Sequence, residues 1–206
     1  MVESPQMKQD VRRVSVIGLG LIGGSIAAGI KQQGLASSVC AWDPNAASLA
    51  LGHDLGIIDS IAADINEATA QSDLIVLAVP VQSMEQVLRD IDLKDQVITD
   101  VGSVKGIAVE AARRVFGELP ENFIPGHPIA GSEKQGVVAA DPNLFRQHKV
   151  ILTPGEASNP AAIARVEKLW NGLGAEVVRM SVSHHDDVVA QTSHLPHLLA
   201  YALVDT

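Results

Sequence analysis

The chain has a single cysteine, Cys40, among its 206 residues. One cysteine cannot form an intrachain disulfide, and it cannot build a cysteine-rich metal cluster. Such sparing use of cysteine fits the reducing cytoplasm, where disulfides are rare. We therefore expect a cytoplasmic protein.

Long apolar runs are also missing. No stretch approaches the roughly 20 apolar residues that a bilayer-spanning helix needs. The N-terminal tail, residues 1–10, is polar and lacks the apolar core of a signal peptide. There is no internal repeat and no low-complexity tract. We expect neither a membrane partner nor a secretion signal.

Basic residues are outnumbered, with 15 Lys and Arg against 24 Asp and Glu, which gives a net charge of -9. A nucleic-acid-binding surface needs clustered Lys and Arg, so this balance argues against nucleic acid as the main partner. At 47% hydrophobic and 19% charged residues the composition is that of a globular protein. The length suffices for one sizeable domain and the beginning of a second.

Short apolar runs rich in Val and Ile alternate with amphipathic helical patterns. Several runs are apolar on both faces, which is typical of parallel strands covered by helices on each side. This alternation predicts an α/β fold over residues 11–180, a doubly wound, Rossmann-type, mostly parallel sheet. The predicted strands are Val14–Ile17, Val39–Trp42, Leu74–Val79, Val97–Thr99, Phe123–Pro125, Val150–Leu152 and Glu176–Val178.

Capping patterns mark the predicted helices. Gly34 follows a helical apolar spacing and predicts the end of the first helix. Ser83 begins a capping-box pattern, and Ser103 precedes another helical spacing that it could cap. Asn159 and Pro160 form a typical N-cap and first-turn pair.

After Ser181 the alternation of strands and helices stops. The apolar spacing then predicts one long helix, which runs from Ser183 to the end of the chain. We interpret residues 181–206 as the first helix of a C-terminal helical domain whose remainder this chain lacks.

The segment Gly18-Leu-Gly20-Leu-Ile-Gly23 matches the glycine fingerprint of dinucleotide-binding domains. It follows an apolar strand and opens an amphipathic helix, which is the context that this function requires. Gly18 permits a tight turn, Gly20 lets the backbone approach a pyrophosphate, and Gly23 lets the helix pack on the strand. The helix N-terminus favours the phosphates. From this loop and the end of the third predicted strand, the expected cofactor-binding residues are Gly18, Leu19, Gly20, Leu21, Ile22, Gly23, Val79 and Pro80.

Asp43 lies twenty residues after Gly23, at the end of the second predicted strand. A carboxylate at this position can accept both ribose hydroxyls of NAD and would repel the extra phosphate of NADP. The alternative is an ordinary Asp that caps the helix after Pro44. We expect NAD as the cofactor.

Two later motifs follow predicted strands, at the edge where open parallel sheets bind ligands. Asp100-Val-Gly-Ser-Val-Lys105 places Ser103 there, either as a helix cap or with a direct role. Gly126-His-Pro-Ile-Ala-Gly-Ser-Glu133 places His127 there. The ordinary pKa of a histidine side chain, about 6.5, suits a proton acceptor near neutral pH. A lone His at a strand end is more often structural, so both interpretations of His127 stay open on the residues alone.

The segment Ser193-His-Leu-Pro-His197 interrupts the last predicted helix. Pro196 has no N–H, so the helix should kink and leave the carbonyl of Thr192 without its helical partner. A kink between two histidines suggests a site. The alternative is a metal site, but the sequence has no HExxH pattern and we expect no metal. The ligands of such a metal site would be His184, His185, Asp186, His194 and His197.

Together these motifs resemble the prephenate and arogenate dehydrogenases of tyrosine biosynthesis. They occur in the family's order along essentially the whole chain, and HPIAG followed by SHLPH is far more specific than the glycine fingerprint. The matching segments are GLGLIGGS at 18–25, DVGSVK at 100–105, HPIAGSEKQG at 127–136, the LF…VILTP stretch at 144–154 and SHLPH at 193–197.

The resemblance implies NAD-dependent oxidative decarboxylation of prephenate to 4-hydroxyphenylpyruvate, with arogenate as an alternative substrate. It implies that His127 accepts the proton of the 4-hydroxyl, and that Ser103 orients His127 and touches the hydroxyl or the nicotinamide. The implied substrate-binding residues are Glu133, Ser193, His194 and His197.

The resemblance further implies a homodimer, formed through the C-terminal helical domain, and a carboxylate-binding Arg in that domain. Both would lie beyond Thr206. We therefore expect these 206 residues to bind NAD but to turn over poorly, if at all.

Two other functions stay open on the residues. β-Hydroxyacid dehydrogenases and related imine or ketone reductases share the glycine-rich opening, but they usually rely on a Lys in the helical domain. Residues 183–206 contain no Lys, which disfavours that class. A non-catalytic dinucleotide-sensing module would use the histidines only as structure.

Overall fold

A six-stranded parallel sheet forms the centre of the computed structural model, which describes residues 11–191. The strand order is β3-β2-β1-β4-β5-β6, and every neighbouring pair is parallel. Because the order reverses between β1 and β4, the loops after these two strands diverge and leave a crevice at the carboxyl edge of the sheet. The strands are β1 (Arg13–Ile17), β2 (Ser38–Trp42), β3 (Ser60–Ile61), β4 (Leu74–Leu77), β5 (Val97–Asp100) and β6 (Phe123–Ile124).

Helices cover both faces of this sheet. Alternate residues of β1 and β4 point to opposite faces, so they contribute to two separate apolar clusters. One cluster includes the buried side of α1 and α6, and the other includes α4 and α5. The predicted doubly wound α/β fold is confirmed. The helices are α1 (Leu21–Gln33), α2 (Ala46–Asp54), α3 (Ile65–Thr69), α4 (Met84–Arg89), α5 (Lys105–Phe116), α6 (Pro160–Gly172) and α7 (Val182–Val189).

A second, three-stranded sheet follows the first. Its strands are β7 (Gly126–Pro128), β8 (Lys149–Leu152) and β9 (Glu176–Arg179), in that order. β7 and β8 are antiparallel, whereas β8 and β9 are parallel. The strand predicted over Phe123–Pro125 is present as β6, but it ends at Ile124, and β7 was not predicted as a separate strand. Pro125 has no N–H to donate to a strand ladder, and the chain passes there from β6 in one sheet to β7 in the other.

Two of the predicted caps are confirmed. Gly34 ends α1 with a φ of 62°, which is a left-handed conformation that favours glycine. The Asn159 side chain accepts a hydrogen bond from the N–H of Ala161 at 2.9 Å, and Pro160 is the first residue of α6.

The two predicted serine caps are wrong. Ser83 ends a 3₁₀ turn (Val81–Ser83) and has helical dihedral angles, so its side chain does not cap α4. Helix α5 begins at Lys105, and its N-cap residue is Val104. Ser103 lies one position before the N-cap and therefore does not fill that role. The acceptor at the start of α5 comes instead from α7, as described below.

Helix α7 begins where the sequence predicts a change of organisation. The hydroxyl of Ser181 accepts a hydrogen bond from the N–H of His184 at 3.2 Å, and the helix packs against α5. The predicted continuation through the SHLPH motif lies outside the described residues. Within residues 11–191, no helix is long and apolar enough to cross a membrane.

Gly23→Ala tests the close approach of α1 to the loop before it. A Cβ on Gly23 would lie 2.0 Å from the carbonyl oxygen of Gly18, a backbone atom that cannot rotate away. We expect the substitution to lower the free energy of unfolding by about 1–3 kcal/mol, measured by urea denaturation. Gly20→Ala is the matched control, because a Cβ there meets no atom within 4 Å. An equal loss of stability in both variants would contradict this packing.

Candidate active site

A cleft of about 1060 Å³ lies at the reversal point between β1 and β4. Loops that follow β1, β2, β4 and β5 line it, together with part of the loop after β7. The structure therefore brings eight of the residues predicted for cofactor binding to one place. They are Gly18, Gly20, Leu21, Ile22, Asp43, Val79, Pro80 and Ser103.

The glycine-rich loop is shaped for a close approach by a ligand. Gly18 has a φ of 96°, and a Cβ on it would lie 2.5 Å from the carbonyl oxygen of Ala78. Gly20 is different, since a Cβ there would meet open space. The first N–H groups of α1 have no acceptor within the helix. This combination of an open backbone and a helix N-terminus fits a pyrophosphate.

Two residues of the loop do not line the cleft. The Leu19 side chain is fully buried, in contact range of Gly52 on α2. Gly23 faces the backbone of Gly18. Both residues pack against other parts of the chain, and the packing role expected for Gly23 stays a prediction.

Asp43 ties the end of β2 to the glycine-rich loop. Its Oδ2 accepts a hydrogen bond from the N–H of Leu19 at 2.6 Å, and its Oδ1 accepts one from the N–H of Asn45 at 2.8 Å. Asn45, not Asp43, caps α2, since its side chain accepts from the N–H of Ala47. The alternative role of Asp43 as a helix cap is therefore wrong. Each carboxylate oxygen has a second lone pair that a ribose hydroxyl could use.

His127 lies in the middle of β7, and its ring reaches α7. Its Nδ1 is 2.9 Å from Nε2 of His185, and Nδ1 of His185 is 2.7 Å from Oδ1 of Asp186. His185 is fully buried, whereas His127 is partly exposed. The sequence suggested His185 and Asp186 only as metal ligands. No local pattern could have paired them with His127, because 58 residues separate the two histidines.

Asp186 also supplies the missing cap of α5. Its two oxygens accept hydrogen bonds from the N–H groups of Lys105 and Gly106, at 2.9 and 2.8 Å. Burial alone would raise the pKa of Asp186. The hydrogen bonds from His185 and from these two N–H groups together have the larger, opposite effect, so the pKa lies below its ordinary value. The carboxylate is therefore ionised at neutral pH, and the N-terminus of α5 stabilises the charge.

A buried ion pair joins Asp100 at the end of β5 to Lys105 at the start of α5. Both side chains are fully buried, and the Lys105 ammonium contacts the Asp100 carboxylate and the carbonyl oxygen of Gly126. Asp100 also accepts hydrogen bonds from the N–H groups of Gly102 and Gly126, at 2.9 and 3.2 Å. Burial lowers the pKa of Lys105, and the Asp100 charge opposes that shift. One carboxylate thus anchors the loop that carries Ser103 and the strand that carries His127.

The remaining predicted site residues are less constrained. Ser103 is exposed and lines the cleft, and Glu133 is exposed in the loop after β7. Ser193, His194 and His197 lie outside the described residues. Within the described range 11–191, no three His, Cys, Asp or Glu side chains are grouped so that they could hold a metal ion.

The fold and the cleft define a Rossmann-type nucleotide-binding domain. The family model described as the prephenate dehydrogenase nucleotide-binding domain matches residues 26–179. The chain belongs to the prephenate dehydrogenase family.

Relatives of this family resemble almost the whole chain. It is 38% identical to the cyclohexadienyl dehydrogenase of Zymomonas mobilis over 197 residues, which cover 94% of this chain and 66% of that protein. It is 39% identical to the prephenate dehydrogenase of Lactococcus lactis over 198 residues, which cover 94% of this chain and 53% of that protein. The chain thus spans about half to two thirds of the length of these relatives.

A solved structure shows the same likeness. The prephenate dehydrogenase of Aquifex aeolicus, in complex with hydroxyphenyl propionate and NAD+, superposes with a TM-score of 0.87 at 36% identity. The match covers 94% of this chain and 68% of that one. The predicted family is confirmed.

Lys105→Met tests the buried ion pair. The substitution leaves the Asp100 carboxylate buried without its counter-charge, so we expect a loss of about 3–5 kcal/mol in the free energy of unfolding. Lys94→Met is the control, because Lys94 pairs with Asp92 at the surface and should contribute at most about 1 kcal/mol. The double variant Asp100→Asn/Lys105→Met should recover part of the loss. Equal losses for Lys105→Met and Lys94→Met in denaturant titrations would contradict the anchoring role.

Proposed function

We propose that the protein catalyses the NAD-dependent oxidative decarboxylation of prephenate to 4-hydroxyphenylpyruvate in tyrosine biosynthesis. The observation that carries the proposal is the placement of His127. His127 lies on β7 and is hydrogen-bonded to His185. Hydrogen bonds from the backbone to Asp100 connect its strand to the loop that carries Ser103. The relatives named prephenate and cyclohexadienyl dehydrogenase support the same activity.

NAD is the proposed cofactor, and the residues of the cleft fit it. The open backbone at Gly20 and the N-terminus of α1 would hold the pyrophosphate, while Asp43 would accept the ribose hydroxyls. Val79, Pro80 and Ser103 line the same cleft. When bound, NAD supplies the hydride acceptor.

The chain's own residues would handle the proton. His127 accepts the proton of the substrate's 4-hydroxyl, which makes the carbon that bears it a better hydride donor. General-base catalysis of this kind contributes about 10²–10⁴-fold. Ser103 would orient His127 or touch the same hydroxyl. Loss of the ring carboxylate as CO2 needs little general-acid help, because it yields an aromatic ring.

The remaining parts of the proposal concern the whole protein. Glu133, Ser193, His194 and His197 would line the substrate pocket, and Glu133 bears on the choice between prephenate and arogenate. Residues 181–206 would begin a helical domain that forms a homodimer and supplies a carboxylate-binding Arg. The 206 residues alone would bind NAD but turn over poorly. We place the protein in the cytoplasm, where its one cysteine, which is buried, would stay reduced.

His127→Asn tests the proton acceptor in the full-length protein. We expect it to lower kcat with prephenate by about 10²–10⁴-fold while the Kd for NAD changes less than about twofold. His148→Asn is the matched control, since His148 is exposed in the loop before β8. Parallel assays with arogenate and 3-hydroxyacids identify the substrate class. Turnover that survives in His127→Asn would overturn this role, and oxidation of 3-hydroxyacids alone would favour the β-hydroxyacid class.

Asp43→Asn tests the preference for NAD. Removing the charge should weaken the repulsion of the 2′-phosphate of NADP, so we expect the ratio of the Kd values for NADP and NAD to fall at least tenfold, or about 1.4 kcal/mol. Asp54→Asn removes the same charge at an exposed position at the end of α2 and serves as the control. Fluorescence titration with both dinucleotides measures the ratio. An unchanged ratio in Asp43→Asn would contradict the assignment.

A further inference from the structure

We infer that His185 and Asp186 hold His127 in the ring tautomer that can act as a base, with the hydrogen on Nδ1 and the lone pair on Nε2. Both are positioning residues, because they act through His127. Their catalytic consequence rests on the function proposed above, whereas the tautomer itself follows from hydrogen bonds within the chain.

The direction of these bonds is set at Asp186. The carboxylate accepts N–H bonds from Lys105 and Gly106, two backbone donors that can only donate. An ionised carboxylate has no hydrogen to give. Nδ1 of His185, which lies 2.7 Å from Oδ1 of Asp186, must therefore carry a hydrogen and donate it.

The tautomer of His127 follows one bond further on. A neutral imidazole carries one N–H, so a His185 ring that is protonated on Nδ1 has an acceptor at Nε2. Nδ1 of His127 lies 2.9 Å from that acceptor and must donate to it. The neutral His127 ring then has its lone pair on Nε2.

The same three side chains stabilise the product of proton transfer. When the substrate's hydroxyl proton binds to Nε2 of His127, the ring becomes a cation, while His185 keeps its hydrogen and Asp186 stays ionised. The negative charge of Asp186 then lies two hydrogen bonds from the new positive charge. The logic is that of a Ser-His-Asp triad, in which the carboxylate orients the base and is not itself protonated. Here a second imidazole separates the carboxylate from the base.

The carboxylate is held in place by the rest of the fold. Asp186 lies on α7 and is bonded to the first turn of α5, which begins at the buried Lys105. Among residues 11–191, Asp186 contacts the His185 ring, and the Asp100–Lys105 pair contacts the backbone of Gly126, the residue before His127. Asp186 therefore cannot rotate away without uncapping α5.

Nitrogen NMR reads the tautomers without any assay of activity. Long-range ¹H–¹⁵N spectra of the full-length protein, labelled in its histidines and recorded at about pH 8.5, resolve neutral rings because this pH is about two units above the ordinary pKa of histidine. Spectra of His127→Gln and His185→Gln assign the two rings. We expect both to carry their hydrogen on Nδ1. A His127 ring that carries it on Nε2 would overturn the inference.

Kinetics of two His185 variants measure the consequence. His185→Leu should lower kcat by about 10²-fold or more, while KM for prephenate and the Kd for NAD stay within about twofold. His185→Gln keeps an acceptor oxygen for Nδ1–H of His127, so we expect it to retain at least about tenfold more kcat than the Leu variant. A role in packing alone predicts the reverse, since Leu suits a buried site better than Gln. His184→Leu is the control, because its ring is at the surface.

The outcomes separate this inference from the proposed function. Equal kcat in the Leu and Gln variants, or wild-type kcat in His185→Leu, would overturn the positioning role. The expected tautomers in a protein that does not oxidise prephenate would instead contradict the proposed function. If His185→Leu does not fold, the wild-type spectrum still decides the tautomer.

Discussion

The buried pair of Asp100 and Lys105 fixes the place where three segments of the chain meet. Asp100 ends β5, Lys105 begins α5, and both bond to the backbone of Gly126 at the start of β7. Since an uncompensated charge in this interior would be costly, neither partner can leave without the other. The loop of Ser103 and the strand of His127 are thus held together by one buried ion pair.

Much of the fold could be read from the sequence because the responsible signals are local. Valine- and isoleucine-rich runs mark buried parallel strands, and Gly34 and the Asn159–Pro160 pair mark helix ends through the backbone geometry that these residues favour. β3 could not be read in this way. It has two residues, both exposed, and therefore no apolar pattern. The break between β6 and β7 is signalled by Pro125, but a proline does not indicate that its two flanking strands enter different sheets.

In the candidate site, too, some residues could be predicted from the sequence and others could not. The glycine-rich loop, Asp43 and His127 are visible in the sequence because the chemistry constrains neighbouring residues or a short motif. The contact of His127 with His185 is not visible, since 58 residues separate the two histidines, and neither is the contact of His185 with Asp186 on the same helix. A long separation in sequence also explains the incorrect cap at Ser103. Ser103 has a suitable residue type but lies one position before the N-cap residue, Val104. The first N–H groups of α5, those of Lys105 and Gly106, bond instead to the carboxylate of Asp186, which lies 80 residues after Gly106.

The capping of α5 by Asp186 has a consequence for how this chain can be divided. The sequence pattern changes near Ser181, which invites a cut there between a nucleotide-binding half and a helical half. Such a cut would remove the Asp186 carboxylate from the first turn of α5 and the His185 ring from its contact with His127. In a chimera between relatives, the piece to exchange with the nucleotide-binding half therefore extends through α7. Hydrogen bonds therefore set the boundary at which such a chimera should be joined. This boundary lies at least one helix later than the one suggested by the pattern of apolar residues.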